Sequence, residues 1–451
     1  MAGTKELGES SNNAQALDVD LERSSIKESS DGLAKDPNIV EFDGLEDPEN
    51  PMNWSSSKKN VTIVLVSMMT LLSYVPTPHS LSSICLMTEL NHPQTRPIGS
   101  TISSAAAPEI MLHFNSTNES LSAFVTTIYL LGYVFGPLAI APLSEIYGRA
   151  ILYKTCMLLF VVFNIACAVA NSLGSLIVFR LLAGLAGSCP ITLGTGSIAD
   201  MVPREKRGGA MGAYVIGAVF GPTIGPICGG YLTPAAGWRW NFRVMAIASG
   251  ILTVIVLFSV PESYPYVLLK RKTERLRKET GNTKLRSALD TGKTASQLFT
   301  FTISRPLRML LSPIVFSLSL YAAVVDSYLY ISFTTFPRVF SGQYGFGSGA
   351  SGLATLGLGV GSLVGVIFCG AVADRLSNRL TRMKGGEAQP EYRLPTLGIG
   401  ALCVPVGLFW YGWTAEYKTH WIVPIIGTGF IGGGMVITYV SNSQFPLANL
   451  S

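Results

Sequence analysis

Apolar runs of about twenty residues, each almost free of charge, recur between positions 61 and 441, and no other feature narrows the possible folds so far. A helix rising about 1.5 Å per residue needs that length to cross a hydrocarbon core, where no water can satisfy backbone N–H and C=O groups. The runs fall near 61–75 continued at 97–108, then 120–142, 151–170, 173–195, 209–232, 242–260, 311–336, 351–373, 395–413 and 420–441. They predict an all-α polytopic membrane protein of about ten spans. Only 14% of the residues are charged, against roughly a quarter in a soluble domain, and the shortfall lies inside these runs.

The net charge of +5 collects in a few loops. Lys270, Arg271, Lys272, Arg275, Arg277, Lys278, Lys284, Arg286 and Lys293 crowd the stretch 261–310. Arg149, then Arg204, Lys206 and Arg207, then Arg375, Arg379, Arg382 and Lys384 follow the second, fourth and eighth spans. All lie on one side if the N-terminus is cytoplasmic, so the charge speaks for orientation in a bilayer and against nucleic-acid binding. The first loop on the other side carries the sequons at Asn115 and Asn118, which are candidate glycosylation sites; Asn53 and Asn60 match the same pattern on the wrong side.

Four segments follow. Residues 1–60 are polar, acidic and poor in aromatics, which predicts a disordered cytoplasmic tail, with no signal peptide before the first run. Residues 61–260 form a six-span half, 261–310 a cytoplasmic central loop, and 311–451 a second half of about four spans. The stretch 76–96, with Pro78, His79, Glu89, His92, Pro93 and Arg96, interrupts the first span. It reads as an unspliced intron or gene-model error, with a re-entrant excursion as the alternative.

The strongest local pattern is in the fifth span. Gly217, Gly221, Gly225 and Gly229 recur every four residues and share a helical face, with Pro222 and Pro226 beside them. Gly357, Gly361 and Gly365 repeat the spacing in the eighth span. The two stripes are expected to meet across the halves and close the outer side; the competing reading is that each packs within its own half. A weak internal echo joins Ala141–Arg149, containing Glu145 and Gly148, to Gly370–Arg379, containing Asp374 and Arg375: each puts an acid and an arginine where a span leaves the membrane.

Two ionisable residues stand inside spans. Arg180 is some seven residues into the fourth, and buried guanidinium groups mark a pathway unless they snorkel or pair structurally. Asp326 is near the middle of the seventh; desolvation raises a carboxylate's pKa and a cation lowers it, which suits a proton carrier, and a neutral hydrogen-bonded acid is the plainer alternative. Tyr321, Tyr328, Tyr330, Phe333 and Phe336 beside it suit an amphipathic organic ligand or ordinary packing.

Enzyme signatures fail on context. Gly292-Lys293-Thr294 lacks the leading glycine of a phosphate loop, since Ser287 occupies that place, and Gly427-x-Gly429-x-x-Gly432 lies within an apolar span rather than after a strand. Six of the seven cysteines, Cys156, Cys167, Cys189, Cys228, Cys369 and Cys403, sit inside apolar runs with no metal-binding spacing. Histidine occurs at His79, His92, His113 and His420 and never deep in a run, so a histidine proton relay is not expected.

Taken together, Asp47-Pro-Glu-Asn-Pro51-Met-Asn-Trp54, Gly136-Pro-Leu through Gly148-Arg149, Arg180 with Gly184, Gly221-Pro222 with Gly225-Pro226, and Pro390-Glu-Tyr-Arg-Leu-Pro395 resemble fungal drug:proton antiporters of the major facilitator superfamily, including pumps encoded beside secondary-metabolite pathways. The resemblance implies two pseudo-symmetric six-helix halves, alternating access, a gate at Glu145 and Arg149, an antiporter motif in the fifth span and a proton-coupling role for Arg180. Ala150 replaces the second basic residue of the gate pattern, and Pro261-Glu262-Ser263-Tyr264-Pro265 departs from the sugar-porter pattern towards exporters. Members carry two spans beyond the tenth, so the resemblance also implies that the second half is incomplete at Ser451.

The expected function is proton-coupled export of small organic molecules, drugs or a secondary metabolite, across the plasma membrane. The expected protein is a monomeric, non-enzymatic glycoprotein using the proton gradient and no cofactor or metal. An importer of the same fold and an inactive truncated chain are the alternatives.

Overall fold

The computed structural model describes residues 38–43, 47–74, 119–203, 207–290, 295–369 and 394–448, with a few isolated positions between them. The insertion at 76–96, the sequons at Asn115 and Asn118, and Asp374 with Arg375 lie outside the described residues.

Two units emerge. The smaller joins residues 38–43 and 47–49 to Tyr266–Gly292. Its strands, β1 (Ile39–Val40) and β2 (Arg286–Ser287), pair in parallel. Val40, Leu269 and Leu285 form a small core beneath them. Lys272 is buried between two carboxylates, with Nζ 2.6 Å from Asp43 and 2.8 Å from Asp47. Arg275 meets Glu49 at 2.8 Å. Residues 38–43 and 47–60 are therefore structured, contrary to the disordered tail that their polarity predicts. Apolar anchors and carboxylates too sparse to form a core alone find one on the basic loop.

The larger unit is helical. Its first half contains α1 (Ser56–Tyr74), α2 (Glu119–Tyr147), α3 (Arg149–Ala168), α4 (Leu173–Gly187), α5 (Cys189–Met201), α6 (Arg207–Ala236) and α7 (Trp238–Ser259). Helix α8 (Pro265–Thr280) leads into the smaller unit, after which come α9 (Ala295–Leu310), α10 (Pro313–Gly342), α11 (Ser348–Leu353), α12 (Leu356–Phe368), α13 (Leu394–Glu416) and α14 (Ile422–Ala448). Seven segments among the described residues are long and apolar enough to cross a membrane. Helices α1, α6 and α10, of 19, 30 and 30 residues, also have the length to span. Large apolar side chains such as Phe258, Leu402, Phe409 and Trp413 are exposed on the outside, as lipid requires and water does not.

Among the described residues, two spans are broken. The fourth divides at Ser188, just before Pro190, which cannot donate to the preceding turn; hydroxyls from Ser188 and Thr192 satisfy the carbonyls of Leu185 and Ser188 at 2.8 and 2.7 Å. The eighth divides at Ala354–Thr355, between α11 and α12.

Lipid tails give apolar helices little reason to associate, so close backbone approach must do so. In the first half, a Cβ on Gly132 or Gly184 would strike the facing backbone of α4 or α2. In the second, Gly357, Gly361 and Gly365 lie against Ile425, Gly429 and Gly433 of α14. The eighth-span stripe thus packs within its own half, and Gly217 does likewise against Ser67 of α1. The expected meeting of the fifth and eighth spans does occur, through other residues. Gly349 faces the Tyr231 ring, Gly352 the Pro226 carbonyl and Gly359 Thr223. The glycine spacing finds tight faces, and the partner of each depends on rotation about the helix axis.

Candidate functional site

The end of the helical unit where α2 gives way to α3 carries Arg149 and is its basic end. There Gly148 takes φ +95°, turning the chain sharply between two spans. A Cβ at Gly148 would also collide with the Glu262 carboxylate, so both the backbone conformation and the close contact demand glycine. Glu262 accepts backbone N–H bonds from Arg149 at 2.9 Å, Ala150 at 3.2 Å, Ser263 at 3.1 Å and Tyr264 at 3.0 Å. A carboxylate thus caps the free N–H groups and positive dipole end of α3. Glu262 of the Pro261-Glu262-Ser263 sequence is this cap.

Arg149 and Glu145, expected to act together, are separated. The Arg149 guanidinium meets Asp200 of α5 at 2.5 Å and lies over the Tyr264 ring, its central carbon 5.3 Å from the centroid. Glu145 instead accepts a hydrogen bond from the Thr302 hydroxyl of α9 at 2.7 Å. The arginine therefore braces the fourth span, while the glutamate reaches the helix that leads into the second half. Asp200 and Thr302 were missed. Asp200 had a signal, since it and Arg180 are the only charges between residues 173 and 201; Thr302 had none.

At the opposite end the halves meet along α6, α11 and α12. Gly221, Gly225 and Gly229 are buried there. The Thr355 hydroxyl, at the break in the eighth span, bonds the carbonyls of Gly352 at 2.7 Å and Thr223 at 3.2 Å. One side chain thus satisfies both a broken helix and a carbonyl of the other half.

Arg180 is 1% exposed, among the most buried large side chains described. It lies between aromatic faces, 5.9 Å from the Tyr129 centroid and 5.7 Å from that of Phe242. Cation–π attraction offsets part of the cost of holding a guanidinium there. Asp326 is 5% exposed on α10, beside buried Val325 and Leu329. The structure thus buries both ionisable residues, Arg180 in the first half and Asp326 in the second. The aromatics of α10 divide: Phe336 belongs to a packed core with Phe340 and Tyr411, Tyr328 is exposed, and Tyr321 bonds Thr438 at 3.3 Å. The side chains of Tyr330 and Phe333 lie outside the described set.

The chain is 51% identical over 440 residues to the MFS-type transporter penM of Penicillium rubens, covering 97% of this chain and 82% of that one. It is 40% identical over 413 residues to the efflux pump radE of Floropilus chiversii, covering 91% and 72%. Among solved structures, the proton:xylose symporter XylE, of E. coli, superposes with a TM-score of 0.61 at 16% identity, covering 88% of this chain and 83% of that one. A bacterial homologue of the human lysosomal transporter Spinster gives 0.56 at 14%, covering 88% and 79%. These likenesses show a shared fold. With the Major Facilitator Superfamily model matching residues 96–448, the chain belongs to that superfamily and is a multi-pass membrane transporter rather than an enzyme.

Proposed function

We propose that this transporter exports small organic molecules across the plasma membrane in exchange for protons, as a monomer, with the basic end and the central loop in the cytoplasm. The observation that carries the coupling is Arg180, a charge held almost wholly out of solvent in a span of a transporter fold. The efflux direction draws support from the relative named an efflux pump. Asp326 is the carboxylate assigned to the second half, able to lose its proton when a cation enters and regain it afterwards. Glu145 with Thr302, and Arg149 with Asp200, form the cytoplasmic gate, with Asp374 and Arg375 as its counterpart in the second half. The α6 motif, Gly217, Gly221, Pro222, Gly225, Pro226 and Gly229, seats the outer interface. Asn115 and Asn118 carry glycans on the outer face. The proton gradient replaces any cofactor.

The test is efflux of ethidium and of native metabolites from expressing cells, with and without a protonophore. Arg180→Ala should cut protonophore-sensitive efflux at least tenfold, and Arg180→Lys should restore part of it. Wild-type rates in Arg180→Ala would refute the coupling role, and substrate accumulation instead of loss would mark an importer.

A further inference from the structure

At the end of the first half away from the basic end, one arginine holds three segments together. Arg239, in the first turn of α7, donates from one Nη to His113 Nε2 at 3.3 Å and from the other to the Ala170 carbonyl, between α3 and α4, at 3.2 Å. Its guanidinium also lies over the Trp238 ring, 4.6 Å from the centroid. The His113 ring meets Phe114 edge-on at 5.0 Å and Trp238 at a tilt at 5.8 Å. Ile110, Ala168, Ala170, Leu176, Trp238 and Phe242 share one apolar core beneath them. The contacts lead on to Arg180: Trp238 meets Phe242 edge-on at 6.1 Å, and Phe242 is one of the two rings flanking the Arg180 guanidinium, 5.7 Å from it.

This clasp depends on the charge of one ring. Arginine only donates, so Nε2 must present a lone pair, which a neutral imidazole with its proton on Nδ1 supplies and an imidazolium does not. When a proton from water binds that lone pair, the hydrogen bond from Arg239 is lost and two cations face each other at 3.3 Å. Among the described residues nothing offsets the second charge. Arg239 is the charged group against His113; the turn between α3 and α4 offers the Ala170 carbonyl, which the arginine takes, and Arg243, one turn along α7, lies over Trp240 instead. The Trp238 ring could stabilise an imidazolium, but it already holds the guanidinium. His113 is exposed, so protons reach it directly, and histidine is the side chain whose charge ordinarily changes between about pH 5 and 8.

We propose that His113 and Arg239 form a proton-sensing clasp on the outer mouth of the first half, closed while the imidazole is neutral and released when the outer medium turns acid; it rests on the proton-coupled reading and the orientation above. Release unpins Trp238 and loosens the Phe242 wall beside Arg180, on the side from which protons arrive. The outer pH thus regulates the Arg180 site through a group that carries no proton across the membrane, separately from the gradient that drives exchange.

The test uses the full chain in phosphatidylcholine nanodiscs, with neither substrate nor gradient. Hydrogen exchange of peptides spanning 110–114 and 168–172 is followed at about pH 7.5 and about pH 5.5, each rate corrected for the intrinsic rate at that pH. Wild-type protection should fall by about tenfold or more at the acid value. His113→Gln, whose amide oxygen accepts from Arg239 and takes no proton, should keep the neutral-pH protection at both values. His113→Lys, charged throughout, should show the acid-pH protection at both. Wild-type protection that ignores pH, or an equal fall in His113→Gln, would overturn the clasp. In proteoliposomes under a fixed pH difference, ethidium transport should respond more steeply to outer pH in wild type than in His113→Gln, and identical profiles would overturn the regulation. Wild-type protein that moves no ethidium under the gradient would instead overturn the proton-coupled reading, while exchange still decides the clasp.

Discussion

The contact between the halves that most invites perturbation is Gly352. A Cβ there would stand 2.6 Å from the Pro226 carbonyl oxygen and 3.0 Å from its carbon, where ordinary contact begins at about 3.4 Å. Both obstacles are backbone, so no rotamer change relieves them, and Gly352→Ala forces α11 back by roughly 0.8 Å. Overpacking of this kind costs about 1–3 kcal/mol. The cost exists only while the ends of the halves are together, so it bears on the closed state alone and shifts the equilibrium about 5- to 150-fold towards opening at that end. Spin labels at Ala236 and Gln343, both exposed near the ends of α6 and α10, should report a growing long-distance population. Gly361→Ala is the control. Its Cβ would run into the Gly429 carbonyl inside the second half, lowering thermal stability without moving the labels apart. An unchanged distance distribution in Gly352→Ala, or an equal shift in Gly361→Ala, would refute the assignment of this contact to the interface.

Two further outcomes follow from the described contacts. Glu262→Ala leaves the first N–H groups of α3 without their acceptor and should cost about 1–2 kcal/mol, read as a lower Tm, with Glu262→Gln recovering part of it. Asp47 holds the smaller unit together: burial would raise its pKa, but the Lys272 hydrogen bond, the Asp43 and Glu49 backbone N–H groups and the Lys272 charge outweigh burial and bring it from 3.8 to about 2. Because the folded value is the lower one, the contribution is complete above pH 3.8 and vanishes as pH falls through about 2. Discounted for nearby solvent it amounts to about 1–2 kcal/mol. At neutral pH, Asp47→Asn should therefore speed amide exchange across β1 and β2, and unaltered exchange would show that the ion pairs do not secure the strands.

Span positions, the helical class, the chemical oddity of Arg180 and Asp326, and the need for glycine at close approaches could all be read from the chain itself. Each follows from a local quantity: the length of an apolar run, the cost of a charge in hydrocarbon, or a four-residue period that puts Gly217, Gly221, Gly225 and Gly229 on one face. Tertiary packing decided the partners. It sent Arg149 to Asp200 and Glu145 to Thr302, turned the Gly357, Gly361 and Gly365 stripe onto α14 instead of α6, and gave Glu262 the exposed end of α3. It also ordered residues 38–43 and 47–49, where Val40 gains a core from Leu269 and Leu285, more than two hundred positions away. A face is a property of one helix, but a contact depends on the rotation and depth of two, and those are fixed by the sum of all the packing interactions at once.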